Sequence, residues 1–277
     1  MGTSPFFKLS YGRMKPFQSY YMISSITILQ ICRMINKAKL LSKMQLLCFI
    51  LAIVGITFRM FYCICYPIQP RDSYMYELCI KNWEKTGKIP ESFSGIPFSL
   101  WLFKTPYHFF HLDILRSGVV INSLLGILIL IIAILIADEL FRSIYISFVA
   151  GLVFATHPML VRFSCSLLRE NLYLFFTMMS VYALIKYYKS AKVVFLVWSS
   201  IFASLSFLSR LEGLELLPIF LFVIFTLHKK ISLKRCLCHC CIYTCVFLSI
   251  SICVICSFRS NINYLQAMQS KYSLWFF

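Results

Sequence analysis

From Ser117 to Ala137 the chain carries no charged side chain, a run as long as the roughly 20 helical residues that cross a hydrocarbon core of about 30 Å. Runs of similar character recur. Seven spans can be read, from about Met44 to Tyr66, Ser117 to Ala137, Ile144 to Val161, Leu168 to Tyr187, Val193 to Leu208, Leu214 to Leu227 and Cys236 to Phe258. Lipid offers backbone N–H and C=O groups no partner, so only helices and closed barrels span it. These runs are continuously apolar and lack the period-two alternation of barrel strands. With 60% of residues hydrophobic, the expected fold class is all-α: a polytopic transmembrane helix bundle of about seven spans. The fifth and sixth runs are short for full crossings, so they read either as two spans or together as one tight hairpin, its tip at Ser209 to Gly213.

Charge orients the bundle. Lys and Arg gather in alternate connections, at Lys8 to Lys43 before the first span, Arg142 after the second, Lys186, Lys189 and Lys192 after the fourth, and Lys229 to Arg235 after the sixth. The positive-inside rule assigns those ends and the N-terminus to the cytoplasm. The same assignment places eight of the ten acidic residues outside: Asp72, Glu77, Glu84, Glu91, Asp113, Glu170, Glu212 and Glu215. The net charge of +17 then reflects topology and anionic headgroups of membrane lipids as partners. No nucleic-acid partner is expected, because no basic stripe lies outside the membrane context.

Before the first span, Tyr20 to Ile35 is moderately apolar but includes Gln30 and Arg33, as in an interfacial amphipathic helix, with an eighth span as the alternative reading. No small-residue cleavage site follows a short apolar core there, so it does not read as a cleavable signal. Thirteen cysteines raise the question of a metal, above all at Cys236, Cys238, His239, Cys240, Cys241 and Cys245. That cluster lies in the opening turns of an apolar span without a second ligand pair at zinc spacing, so Cys reads as a small apolar residue and no metal is expected. Acylation of the thiols beside Lys234 and Arg235 is the other reading.

The first connection, Pro67 to Asp113, is the long extracytoplasmic loop. It carries an amphipathic helix from about Ser73 to Lys85, with Tyr76, Ile80 and Trp83 on one face and Glu77, Lys81 and Glu84 on another. Gly87-Lys88-Ile89-Pro90 then stops the helix. Asp72, just before it, reads as a loop acid, as the helix N-cap, or as a reactive carboxylate at the mouth of a membrane cavity. Arg169 and Glu170 open the fourth span on the same face, where an acid suits the helix macrodipole and an ionisable pair at that depth needs a polar partner. Arg210 and Glu212, in Ser209-Arg210-Leu211-Glu212-Gly213, form either a structural ion pair or the lining of an anion pocket.

Taken together, Arg59 near the end of the first span, Pro70-Arg71-Asp72-Ser73 with Tyr76, the Gly87 to Pro90 stop, the Ser166 to Tyr173 stretch and Ser209-Arg210-Leu211-Glu212-Gly213 form a pattern. From about Gln45 to Leu227 the chain resembles the N-terminal half of the C-type membrane glycosyltransferases, which use polyprenyl-phosphate sugars and include protein O-mannosyltransferases and aminoarabinose transferases. The resemblance implies transfer of a sugar from a polyprenyl-phosphate donor to a glycan, lipid or protein acceptor on the extracytoplasmic face. It makes Asp72 the catalytic base, Glu170 and Tyr76 acceptor-orienting residues, and Arg71, Arg169, Arg210 and Glu212 the residues around the lipid phosphate. No cofactor is implied. Many relatives carry two neighbouring acids in the first loop, sometimes with a divalent ion, whereas Ser73 follows Asp72 here and the next acid is Glu77, so no metal is expected. Where relatives often have Pro-Pro-Leu-Tyr, this chain has Lys104-Thr105-Pro106-Tyr107-His108.

The resemblance divides the chain into an N-terminal cytoplasmic or interfacial segment (1–43), a transmembrane glycosyltransferase-like domain (44–258) and a C-terminal tail (259–277). Full relatives usually have eleven or more spans, so the expectation is a fragment, a truncated gene product or a short family member that needs a partner, in a bacterial inner membrane. The rival classes are a lipid-linked-sugar transporter or flippase, for which no convincing repeat between the halves is found, and a non-catalytic membrane assembly protein.

Overall fold

The computed structural model describes residues 43–66, 69–89, 97–110, 113–226 and 232–258. The amphipathic stretch Tyr20 to Ile35 and the tail 259–277 lie outside the described residues. Two compact units are distinguished, Met1–Leu47 and Cys48–Phe277. Within the first, only the start of the first helix is described.

The described secondary structure is helical, with no strand among the described residues. In chain order the elements are α1 (Lys43–Cys65), α2 (Arg71–Thr86), α3 (Pro97–Phe110), α4 (Ile114–Phe141), α5 (Ile144–Thr156), α6 (Pro158–Ser164), α7 (Glu170–Ser190), α8 (Val193–Ser209), a 3-10 turn (Leu211–Glu215), α9 (Leu216–Thr226) and α10 (Leu233–Phe258). Three of them, α1, α4 and α10, are long and apolar enough to cross a membrane. The pair α5 and α6 makes a fourth if taken as one span bent by 58°. Its break falls at His157-Pro158, where the proline that opens α6 has no N–H to give to the preceding turn. By length and apolar character the described residues thus hold three to four candidate membrane-spanning helices, as in a membrane protein. The remaining apolar runs of the sequence fall short of that standard for physical reasons. Helix α7 bears Glu170 at its first residue and Lys186 and Lys189 in its last turns, and α9, with 11 residues, rises only about 17 Å.

Helices α7, α8 and α10 pack through small residues. Ser180 Oγ donates to Ser199 O at 2.6 Å and Ser199 Oγ returns a bond to Ser180 O at 3.0 Å. Toward α10, Ser200 Oγ reaches Tyr243 O (2.7 Å) and Ser204 Oγ reaches Phe247 O (3.1 Å). Small side chains let helix backbones approach and cross-link them where lipid gives no hydrophobic drive. Around this seam Tyr187, Leu196, Phe207, Phe220, Tyr243 and Phe247 form one core. A second core joins α2 and α3 to the connection between α6 and α7, with Ile80, Leu100, Phe103 and Leu167 inaccessible or nearly so.

Helix α2 starts at Arg71, two residues earlier than the sequence pattern suggests, because Pro70 occupies the N-cap. Asp72 therefore lies in the first turn, where the macrodipole favours an acid, and is not the cap. Gly87 ends the helix in the left-handed region, at φ 70°, its N–H bonded to Trp83 O. One face of α2 buries Ser73, Tyr76, Cys79 and Ile80, while Glu77 pairs with Lys81 at 2.5 Å and Glu84 with Lys104 of α3 at 3.9 Å.

Candidate functional site

Arg210 follows the last residue of α8 with extended backbone, φ −149° and ψ 140°, so its side chain leaves the hairpin tip at an angle a helix would not permit. The guanidinium meets Glu212 with two bonds, Nε to Oε2 at 3.2 Å and Nη2 to Oε1 at 3.1 Å. Its third donor, Nη1, reaches Glu170 Oε1 at 3.2 Å. The ring of Tyr173, one turn into α7, lies beneath it, 5.8 Å from ring centroid to Cζ. The bidentate fork fixes the plane of the guanidinium. Side-chain exposures of 24 to 39% leave such pairs only on the order of 1 kcal/mol of stability. Their effect is therefore to position a cation between two carboxylates rather than to hold the fold.

The turn that carries Arg210 depends on Gly213. A Cβ there would lie 2.4 Å from the Phe207 backbone nitrogen and 2.6 Å from its Cα. The 3-10 turn folds back directly onto the end of α8, and only a residue without a side chain permits it.

Tyr76 connects α2 to this group. It is 7% exposed, and burial pushes its phenol above the usual tyrosine range; the charges of Arg169 and Arg210 oppose that shift, whereas Glu170 and Asp72 reinforce it. Four of the charged residues singled out in the sequence thus act on one hydroxyl. At the same corner, Glu170 Oε2, Arg169 Nε and Ser73 Oγ are buried without a hydrogen-bond partner among the described residues. Unpaired buried polar atoms are costly, and they concentrate where a polar ligand or strain is accommodated.

The structure brings Tyr76, Arg169, Glu170, Arg210 and Glu212 to one place, with Asp72 one turn before Tyr76 on α2. Arg71 is exposed and makes no ion pair among the described residues, so its neighbour Asp72 is not paired with it. Among the described residues no group of three His, Cys, Asp or Glu side chains could hold a metal ion. Sequence reading did not single out Gln69, Asn122 or Ser123, whose side chains donate to backbone carbonyls just before Arg169. The available signal was Asn122, an amide inside the charge-free run of α4.

No protein-family model matches the chain, and comparison with curated proteins and with solved structures finds no match.

Proposed function

We propose that the chain is an integral-membrane glycosyltransferase that moves a sugar from a polyprenyl-phosphate carrier to a glycan, lipid or protein acceptor on the extracytoplasmic face. Its N-terminus and the Lys186 to Lys192 connection lie in the cytoplasm, with seven crossings of a bacterial inner membrane. The observation that best supports this reading is the Arg210 guanidinium fixed between Glu212 and Glu170, within electrostatic reach of Tyr76, which shares α2 with Asp72.

The chemistry follows from those roles. Asp72 accepts the proton of an acceptor hydroxyl as the oxygen attacks the anomeric carbon, and the bond from that carbon to the phosphate oxygen breaks, its electron pair leaving with polyprenyl phosphate. Proton transfer by a placed carboxylate contributes about 10²–10⁴-fold. Arg210 and Arg169 stabilise the charge that develops on the departing phosphate, which matters most in a site of low dielectric. Glu170 and Glu212 hold Arg210 in place, and Tyr76 orients the acceptor by hydrogen bonding.

A non-catalytic lipid-binding protein needs the same arginines but no base. Reconstituting the full chain in vesicles with polyprenyl-phosphate sugars separates the two. Sugar transfer lost in Asp72→Asn, with lipid-phosphate binding retained, supports the enzyme. Binding without turnover in the wild type leaves the binding protein.

A further inference from the structure

Helix α6 ends at Ser164 and α7 starts at Glu170, so five residues of irregular backbone lie at a buried corner between two apolar helices. Carbonyls at such a break need donors from elsewhere, because irregular backbone at membrane depth survives only where protein satisfies it. The donors come from two distant parts of the chain. Ser123 Oγ donates to Ser164 O at 3.0 Å, and Asn122 Nδ2 to both Ser166 O (2.5 Å) and Leu168 O (2.8 Å). Gln69 Nε2 donates to Cys165 O at 3.0 Å. Asn171, next to Glu170, completes the set by donating to Asn122 O at 2.6 Å and to Ser164 Oγ at 3.2 Å.

These bonds have a direction. Asn122 lies on α4 and is inaccessible to solvent, so it offers a rigid anchor for the segment that ends in Arg169 and Glu170. Gln69 lies two residues before α2, the helix that bears Asp72 and Tyr76. Its bond to Cys165 O therefore ties the start of α2 to the backbone that presents Glu170 to Arg210. We infer that Gln69 and Asn122 are positioning residues, which set the spacing between the Asp72–Tyr76 helix and the Glu170–Arg210 pair without touching substrate.

The inference rests on the lipid-phosphate reading of this site, and the experiment keeps the two apart. The full chain in phosphatidylcholine nanodiscs is titrated with a polyprenyl monophosphate, and spin labels on keto amino acids replacing Met75 and Glu215 report the distance between α2 and the hairpin tip. Arg210→Ala tests the reading: an affinity loss of tenfold or more supports it, and unchanged affinity rejects it whatever the other variants do. Gln69→Met keeps length and removes the donor. It is expected to weaken binding three- to tenfold and to broaden the label distance, and Gln69→Lys, which restores a donor, is expected to return both toward wild type. Asn122→Leu is expected to act in the same direction; if it fails to insert, Gln69→Met decides alone. An unchanged label distance in Gln69→Met overturns the positioning role, as does a loss of thermal stability with affinity intact or a loss that Gln69→Lys does not reverse.

Discussion

Arg210 Nη1 lies 3.2 Å from Glu170 Oε1 although forty residues separate them in the chain. The same guanidinium is forked onto Glu212 two residues away, so one cation joins the tip of the α8–α9 hairpin to the start of α7. Arg210→Lys, which keeps the charge but loses the fork, is expected to lower lipid-phosphate affinity less than Arg210→Ala does. The alanine variant also leaves two carboxylates facing each other, but because the pairs are part-exposed it should cost only on the order of 1 kcal/mol of stability. Lipid titration and thermal unfolding of both variants, side by side, check the ranking.

Asp72→Asn keeps the size of the side chain in the first turn of α2 and removes its proton acceptor. Sugar transfer is expected to fall by at least 10²-fold with insertion and lipid binding near wild type. Retention of a tenth of wild-type turnover corresponds to about 1.4 kcal/mol, too little for a lost general base, and removes Asp72 from that role.

Gly213→Ala introduces a Cβ 2.4 Å from the Phe207 nitrogen, which a flexible side chain cannot relieve because the obstacle is backbone. A destabilisation of about 1–3 kcal/mol is expected, together with weaker lipid-phosphate binding as Arg210 shifts. Alanine tolerated at this position, by thermal unfolding and by affinity, contradicts the close-packed turn.

Burial raises the pKa of Tyr76, with smaller opposing effects from Arg169 and Arg210 and reinforcing ones from Glu170 and Asp72. The folded state then holds this proton more tightly than the unfolded chain does. Its contribution is intact below the ordinary tyrosine value of about 10 and declines as pH rises beyond it. Wild type is therefore expected to lose stability relative to Tyr76→Phe as pH climbs above about 10. Tyrosinate absorbance is expected to lose one late-titrating phenol in Tyr76→Phe relative to wild type; an unchanged titration counts against the buried position.

Reporter fusions test the orientation. Alkaline phosphatase joined after Lys88 is expected to be active and green fluorescent protein there dark, with the reverse after Lys192, because the positive-inside rule puts those sites on opposite faces. The same reporter active at both sites rejects the topology.

Part of the site was legible in one dimension. The Asp72 loop, the Arg169–Glu170 start of α7 and the Ser209 to Gly213 tip each show as charge where apolar runs begin or end, because ionisable side chains near lipid need a reason to be there. Gln69 and Ser123 gave no comparable signal: a Gln in a loop and a Ser in a span are ordinary, and their value appears only when they face the carbonyls of a broken helix. The early start of α2 was missed because Pro70 can cap a helix without a side-chain hydrogen bond, which leaves little in the local pattern to mark it.

By itself the sequence determined that the chain is helical and rich in long apolar runs, since continuous hydrophobicity without period-two alternation admits no other backbone in lipid. It also determined where α2 stops, at Gly87, because a left-handed cap is a property of a single residue, whereas the break at His157-Pro158 falls inside the run Ile144 to Val161 that the sequence presents as one span. The tertiary structure alone decided which charges meet. Whether Arg210 pairs with Glu212 only, or also with Glu170, depends on how the α8–α9 hairpin packs against α7, and that packing is set by reciprocal serine bonds and close backbone approach between segments. Such contacts are short in space and long in sequence, and no local pattern encodes them.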